Sequence, residues 1–176
     1  MKFIRPTGVT KLSMNQRKLV KLCVCVLTLS VLAISNVRAA DERAIKKDLD
    51  QLQGEWSMVS GSADGQAMPD EMLKQMKRSC KGDETTTTME GQMFLKAKIT
   101  IDPSKKPKTI DYLMTDGFTK GKTQLGIYEL NGDTFKSCFA KPGAERPADF
   151  TSKPGDGRTL SVWKRTKPAV PAPEQK

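Results

Sequence analysis

The side chains of this 176-residue chain form few combinations suited to acid–base or nucleophilic catalysis. The absence of histidine excludes Ser-His-Asp and Cys-His catalysis and histidine-ligated metal sites. Pairs of carboxylates can also do acid–base work, and Asp111, Glu129 and Asp149 are the candidates. Asp111 and Glu129 alternate with apolar neighbours, so we expect both to point to water. No glycine spacing fits a phosphate loop. We therefore predict no catalytic residue, no metal site, no cofactor and no enzyme activity.

The other chemistry that the residue types allow is the binding of a small apolar molecule. Alternation of apolar and polar residues assigns one set of side chains to inward faces: Trp56, Met58, Leu95, Ile99, Ile110, Tyr112, Met114, Tyr128, Leu130, Phe135, Phe139, Leu160 and Val162. The candidate ligand contacts within this set are Trp56, Met58, Ile99, Tyr112, Tyr128 and Phe135. The two tyrosine hydroxyls would orient a ligand, because a buried hydroxyl needs a hydrogen-bond partner. The same side chains can also fill a core without a void, so the pattern leaves both outcomes open.

Two short helices and a series of strands must position these side chains. Residues 41–53 carry Ile45, Leu49 and Leu52 on one helical stripe, which Gly54 ends. A second short helix begins at Pro69, after the first strand. The remaining segments mostly alternate apolar and polar side chains, which is typical of strands.

Eight short strands follow one another, and their connections are too short for crossover helices. The clearest pair is a hairpin over residues 125–139, in which Asn131-Gly132 fits a two-residue type I′ turn. Residues 141–157 form a long loop rich in proline and glycine. The pattern predicts an all-β protein, an antiparallel up-and-down barrel of about eight strands, because closure leaves no strand edge exposed.

The first 39 residues have the composition of a secretory signal peptide. An uncharged apolar run over 22–35 follows three basic residues, and Val37-Arg38-Ala39 fits a cleavage site. An uncleaved membrane anchor is the alternative, but a spanning helix needs about 20 apolar residues. We predict an exported protein, periplasmic or extracellular, with no membrane span after cleavage. Its predicted parts are a signal peptide over 1–39, a barrel domain over 40–166 and a disordered proline-rich tail over 167–176.

The net charge of +10 does not indicate a nucleic-acid partner. Seven of the 30 basic residues and none of the 20 acidic ones lie in residues 1–39, which leaves 23 basic against 20 acidic residues and a net charge of +3. Two basic clusters stand in the rest: Lys105, Lys106 and Lys108, and Lys74, Lys77, Arg78 and Lys81. Neither is interleaved with aromatic residues on which nucleic-acid bases would stack. We interpret both clusters as solvated surface.

Two cysteines, Cys80 and Cys138, remain after removal of the signal peptide. An oxidising compartment permits a disulfide between them. Phe135 and Phe139 share the inward face of one strand, so Cys138 points outward. Cys80 lies on the second strand and Cys138 on the seventh, which are not neighbours in an eight-strand barrel. We therefore expect no bridge, unless the segment around Cys80 is a loop that folds over the barrel.

Residues at the two ends of the predicted barrel resemble a feature of lipocalin-like proteins. Gly54-Glu55-Trp56 begins the first strand and Arg165 ends the last. In such barrels a Gly-x-Trp packs near a basic residue of the last strand. A cation over an indole face contributes about 1 kcal/mol. The resemblance implies a structural role for Gly54, Trp56 and Arg165.

A closer resemblance covers residues 49–166. Four segments stand in order: 52–56, 102–111, 126–133, and Arg146-Pro147 with 152–155. Together they resemble an uncharacterised lipocalin-like domain family that is abundant in planctomycetes. The resemblance implies a small exported barrel and no established catalytic residues. Residues 77–90 are more polar than that family pattern, so we expect shorter or irregular strands there.

Two functions of different classes fit these observations. The first is a carrier or sensor that binds a small apolar molecule inside the barrel. The second is an envelope protein-interaction or inhibitor module that acts through the loops 102–108 and 141–157 over a filled core. A cavity open at one end would favour the first function, and a packed interior with protruding loops would favour the second.

Overall fold

A computed structural model describes residues 41–167 of the protein. They form two helices and nine strands: α1 (41–52), β1 (Gly54–Ala63), β2 (Gln66–Ala67), α2 (Asp70–Gln75), β3 (Met76–Lys81), β4 (Glu84–Met89), β5 (Gln92–Asp102), β6 (Lys108–Asp116), β7 (Thr123–Asn131), β8 (Thr134–Phe139) and β9 (Thr159–Lys167). Both predicted helices are confirmed. The predicted signal peptide lies outside the described residues, as does the predicted tail beyond Lys167. Neither helix described between residues 41 and 167 is long and apolar enough to cross a membrane.

Eight of the strands close into an antiparallel barrel, which confirms the predicted fold class. Each strand from β3 to β8 pairs with the next strand along the chain, and β1 completes the ring by pairing with both β3 and β9. Trp56 lies opposite Arg165, and Met58 lies opposite Trp163. The short β2 pairs with the end of β1. Closure gives every long strand a partner on both sides, so no long edge is left for another chain to extend.

The hairpin between β7 and β8 is confirmed, but its turn differs from the predicted one. Asn131 pairs with Thr134, so the two turn residues are Gly132 and Asp133. Gly132 has a φ of 54°, and neither Asn131 nor Asp133 has a positive φ. A type I′ turn needs positive φ at both central residues. The prediction of Asn131-Gly132 at the centre of the turn is therefore wrong by one residue.

The strands β3 and β4 are short, as expected for the polar segment 77–90. Each has six residues, whereas β5 has 11, and the pairing of β4 with β5 is irregular between Thr87 and Thr88. Their polarity has a structural cause, because Arg78, Thr85 and Thr87 are buried on the inward face. The interpretation of Arg78 as part of a solvated basic cluster is therefore wrong.

The last strand, β9, faces the interior with the opposite parity from the predicted one. Ser161 and Trp163 are buried, whereas Leu160 and Val162 are half-buried. Hydropathy favours Leu160 and Val162 on the inward face. The indole of Trp163 buries more apolar area than either of those side chains, so the alternate positions face inward instead. The other predicted inward side chains belong to the core or pack against it.

The helix α1 closes the end of the barrel at which β1 begins. Leu52 is fully buried, and its carbonyl accepts a hydrogen bond of 3.0 Å from the indole nitrogen of Trp56. The guanidinium of Arg165 lies 4.1 Å from the centre of a Trp56 ring. Arg165 also donates to the carbonyls of Gln51 and Gln53. The expected contact between Trp56 and Arg165 is present, and it fixes the end of α1 to the first and last strands.

A buried carboxylate holds the middle of α1 against the barrel. Asp48 is 5% exposed. One of its oxygens accepts hydrogen bonds of 2.7 Å from the hydroxyl of Tyr128 and from the ammonium group of Lys108. Lys108 therefore belongs to an ion pair with α1, and its assignment to a solvated basic cluster is wrong.

The long loop between β8 and β9 packs on the outside of the barrel. Arg146 donates hydrogen bonds of 2.6 Å to the carboxylate of Asp111 and to the carbonyl of Gly126. The hydroxyl of Ser152 accepts a hydrogen bond of 2.9 Å from the backbone N–H of Gly65. These contacts hold the loop against β6, β7 and the turn that follows β1.

Replacing Asp48 by alanine is expected to destabilise the protein by about 2 kcal/mol or more, because a buried hydroxyl and a partly buried cation lose their acceptor. Urea denaturation followed by far-UV circular dichroism measures the change. The matched control is Asp50→Ala in the same helix, because the ion pair of Asp50 among the described residues is an exposed one with Lys46. That control should change the free energy of unfolding by less than about 0.5 kcal/mol. Equal losses in the two variants would show that the Asp48 contacts do not hold α1 in place.

Candidate functional site

A cavity of about 420 Å³ opens at the end of the barrel opposite α1. All eight barrel strands contribute side chains to its wall, and β7 does so through Gln124 near its start. The lining residues are Met58, Ala63, Met68, Met72, Met76, Arg78, Thr87, Met89, Phe94, Leu95, Tyr112, Met114, Phe118, Thr119, Gln124, Ser137, Phe139, Thr159, Ser161 and Trp163. The sequence left open whether the barrel interior is a filled core or a cavity. The structure contains both, because the α1 end is packed and the other end contains a cavity.

The wall of the cavity is rich in methionine. Six methionines line it, and they come from β1, the segment before α2, α2 itself, β3, β4 and β6: Met58, Met68, Met72, Met76, Met89 and Met114. Methionine is unbranched and polarisable, so its side chain can adjust to ligands of different shape. A wall of this composition fits an apolar guest without imposing one outline on it.

Apolar side chains at the mouth of the cavity are exposed to solvent. Phe118, in the turn between β6 and β7, is 100% exposed, Phe94 of β5 is 42% exposed and Met72 of α2 is 38% exposed. All three also line the cavity. Exposed large apolar residues that adjoin an apolar cavity mark a route by which a ligand of similar polarity enters.

A buried arginine forms part of the floor of the cavity. Arg78 shares the inward face of β3 with Met76, which lies nearer the mouth, and with Cys80, which lies nearer α1. It is only 3% exposed, and it lines the cavity. Its guanidinium lies 4.2 Å from the centre of the Phe135 ring, which belongs to the packed end of the barrel. Arg78 thus separates the cavity from the core around α1.

Within residues 41–167, only one of the five N–H groups of the Arg78 guanidinium has an acceptor. Nε donates to the hydroxyl of Thr85 at 2.9 Å. That hydroxyl also accepts from the thiol of Cys80 at 3.4 Å and donates to the carbonyl of Ser79 at 3.2 Å, so its capacity is used. The buried atoms Nη1 and Nη2 have no hydrogen-bond partner among the described residues, and no ion pair joins Arg78 to a carboxylate of residues 41–167.

The burial of Arg78 is energetically unfavourable for the described part of the chain by itself. An arginine keeps its proton in a protein, and the effective penalty for burying one ion is several kcal/mol. The aromatic rings of Phe135 at 4.2 Å and Tyr112 at 6.0 Å offset part of that cost, with up to about 2 kcal/mol for a desolvated cation–π contact. The remaining cost is uncompensated by the described part of the chain, where the positive charge of Arg78 has no counter-ion.

Three other polar side chains of the cavity wall form hydrogen bonds with one another. The hydroxyls of Ser137 and Ser161 lie 3.0 Å apart, and the indole nitrogen of Trp163 donates to Ser161 at 2.9 Å. Burial raises the pKa of Tyr112 to about 12, although the charge of Arg78 acts in the opposite direction. Tyr112 is therefore a neutral hydroxyl at physiological pH and cannot neutralise Arg78.

The six predicted ligand contacts fall into two groups. Met58 and Tyr112 line the cavity. The other four are buried in the core and do not line it: Trp56, Ile99, Tyr128 and Phe135. Their placement follows from α1, which fills that end of the barrel and takes up the hydroxyl of Tyr128 through Asp48. Only one of the two expected tyrosine handles is therefore within reach of a guest.

Sequence analysis missed Arg78 and Trp163 as parts of the cavity. A signal for Arg78 exists in the alternation of β3, because Met76 and Cys80 share its parity and are inward. The charge of the segment concealed that pattern. For Trp163 the signal is the size of the indole, which outweighs the aliphatic pair Leu160 and Val162 in the opposite frame.

The candidates for acid–base and thiol chemistry lie apart from the cavity. Asp111 pairs with Arg146 at 2.6 Å, and Asp149 pairs with Arg158 at 3.3 Å. Glu129 lies 3.9 Å from Lys136 on the outer face. None of these carboxylates lines the cavity. Within residues 41–167 no group of histidine, cysteine, aspartate and glutamate side chains is arranged to hold a metal ion.

The two cysteines lie on opposite faces of the barrel wall, and both are free thiols. Cys80 faces the interior, where its sulfur contacts Thr85. Cys138 points outward, as predicted, and is covered by the outer loop, where its thiol donates to the carbonyl of Thr151 at 3.4 Å. Burial raises the pKa of the Cys138 thiol, which reduces its reactivity as a nucleophile.

Comparisons of the chain with family models, with curated proteins and with solved structures found no match. The resemblance to a lipocalin-like family abundant in planctomycetes therefore stays a prediction.

The two tyrosines of the chain are expected to resist ionisation in the folded protein. Burial raises the pKa of Tyr112 to about 12. Burial and the hydrogen bond to Asp48 raise the pKa of Tyr128 as well. Because an unfolded tyrosine titrates near pH 10, tyrosinate absorbance should be absent at pH 10.5 in buffer and present in urea. Because the pKa of Tyr112 is higher in the folded state than in the unfolded state, its contribution to the free energy of unfolding is complete below about pH 10. That contribution falls as the pH rises toward 12. A native titration midpoint near 10 for either tyrosine would contradict this placement.

Proposed function

We propose that this protein is an exported carrier or sensor that binds one small, largely apolar molecule in the open end of its barrel. The observation that carries the proposal is the cavity of about 420 Å³, lined by six methionines and five aromatic side chains and open to solvent at a rim of apolar side chains. Ligand sites in proteins are typically concave, apolar and supplied with a few polar groups, and this cavity has that composition.

The division of the barrel into two ends supports binding over simple packing. The α1 end is filled by Trp56, Tyr128 and Phe135, all of them fully buried. These residues and α1 hold the barrel together, so the other end does not need to be filled for stability. A cavity with no ligand-binding role would only lower the free energy of unfolding, since voids in cores are destabilising.

The export part of the proposal rests on the composition of residues 1–39. A basic head and an uncharged apolar run precede the barrel domain, which is the arrangement of a secretory signal peptide. Carriers of apolar molecules are needed where such molecules must cross an aqueous space. A periplasmic or extracellular location of the barrel is consistent with that task.

The alternative, an envelope protein-interaction module acting through its loops, receives less support. The loop over 141–157 lies against the barrel and is held there by Arg146 and Ser152. The core is also open at one end, whereas that hypothesis expected a filled one. No described feature of the loops calls for a protein partner.

Binding can be tested with N-phenyl-1-naphthylamine, an uncharged aromatic probe whose emission rises in apolar surroundings. The wild-type protein should bind it saturably, one probe per chain, with energy transfer from Trp163 in the cavity wall. Thr87→Phe adds a phenyl ring inside the cavity, because Thr87 is 5% exposed and lines it. This variant should weaken probe binding at least about tenfold, which corresponds to roughly 1.4 kcal/mol of lost affinity.

The matched control for this test is Thr86→Phe, which adds the same ring to the same strand on its outer face, since Thr86 is half-buried and does not line the cavity. Circular dichroism spectra would establish that both variants are folded. The control should keep the wild-type affinity for the probe. No saturable binding to the wild-type protein, or equal binding by both variants, would overturn the proposal of a ligand in the barrel.

A further inference from the structure

We infer that the molecule bound in the cavity carries a single carboxylate, and that Arg78 binds it. This inference rests on the proposed function and narrows it to acidic amphiphiles: carboxylic acids with an apolar chain or ring. The residue that determines this specificity is a buried arginine, which the sequence pattern alone assigned to the surface.

The charge of the cavity indicates a ligand with one negative charge. Of the described residues that line the cavity, Arg78 alone is charged. A monoanion neutralises it, and the pair then occupies the interior with no net charge. A neutral ligand would leave the guanidinium unpaired, and a dianion would bring one charge too many into an apolar space, where an uncompensated ion is costly.

The geometry of the free donors indicates a carboxylate. The Nε proton of Arg78 is already donated to Thr85, so the end of the guanidinium formed by Nη1 and Nη2 remains. These two nitrogens present N–H groups side by side, at the spacing of the two oxygens of a carboxylate. Both nitrogens are buried, so the Arg78 side chain must turn slightly toward the cavity that it lines before two charge-assisted hydrogen bonds to a carboxylate can satisfy the atoms that lack partners among the described residues.

The position of Arg78 indicates the orientation of the ligand. Arg78 lies at the floor, against Phe135, and the exposed Phe118 and Met72 lie at the mouth. A guest would therefore enter with its carboxylate first and leave its apolar part among the methionines. Such an arrangement shields the ion pair from water, which strengthens it relative to a pair at the surface.

The test compares two ligands of equal chain length, sodium dodecanoate below its micelle concentration and 1-dodecanol, as competitors that displace N-phenyl-1-naphthylamine. The wild-type protein should bind dodecanoate at least about tenfold more tightly than dodecanol, since hydrogen bonds to charged groups are the stronger ones. This comparison needs no variant, so it stands even if a substitution at the floor prevents folding.

The variants are Arg78→Met, which removes the buried charge, and Lys77→Met, which removes a charge of the same sign from the exposed neighbouring position. Arg78→Met should lower the affinity for dodecanoate at least about tenfold and leave the affinity for dodecanol within about threefold. Lys77→Met should keep the preference for dodecanoate. Arg78→Lys, which keeps the charge without the fork of donors, should give an intermediate preference.

The outcomes separate this inference from the proposed function. Equal affinities of wild-type protein for dodecanoate and dodecanol would overturn the inference and leave a neutral ligand as the cargo. Probe binding with displacement by neither ligand would overturn the inference in the same way. Failure of the wild-type protein to bind the uncharged probe would overturn the proposed function itself. A preference for dodecanoate that survives in Arg78→Met would also contradict the role of Arg78.

Discussion

The guanidinium of Arg165 lies between the indole of Trp56 and two carbonyl oxygens at the end of α1. This contact joins the first strand, the last strand and the helix at one point. The pairing of β1 with β9 closes the sheet into a barrel, so contacts between these two strands stabilise the closed form. The end of the barrel next to Arg165 is therefore fixed by packing, by hydrogen bonds and by a cation–π contact together.

The contacts that stabilise the barrel are concentrated at the α1 end, whereas the cavity lies at the opposite end. The aromatic core around Trp56 and the ion pair of Asp48 with Lys108 hold α1 in place. The opposite end contains flexible methionines and an open mouth, and it holds a buried cation without a counter-ion among the described residues. A folded protein tolerates such a charge when the rest of the structure is stable enough, and unpaired buried groups are typical of binding sites.

Sequence reasoning predicted the barrel because its signals are local and repeated. Strand alternation, short connections and the paired positions of Trp56 and Arg165 all agree on one closed sheet, and agreement across levels is a strong indication of fold. The inward face was predicted well where apolar residues alternate with charged ones, as in β5. The turn at Gly132 was misplaced by one residue, because Asn-Gly permits more than one register and cross-strand pairing selects between them.

The site was harder to predict, because its defining residue violates the hydropathy pattern. Lys77, Arg78 and Lys81 form a run of charges, and a run of charges ordinarily indicates a solvated surface. Only the parity set by Met76 and Cys80 indicates that Arg78 turns inward while its charged neighbours do not. The depth to which α1 fills the barrel is a tertiary property, so no local signal could place Tyr128 outside the cavity and Tyr112 within it.

The most direct test of this account is carbon-13 nuclear magnetic resonance of dodecanoate labelled at its carboxyl carbon, titrated with the purified protein. A carboxyl held by Arg78 should give a bound resonance that saturates at one ligand per chain. An adjacent positive charge lowers the pKa of a carboxyl group. Free carboxyl groups titrate at a pH of about 4, so the bound resonance should still be that of the carboxylate below that pH. A bound carboxyl that titrates above the free one, as burial without a cation requires, would contradict the account, and so would the absence of a bound resonance.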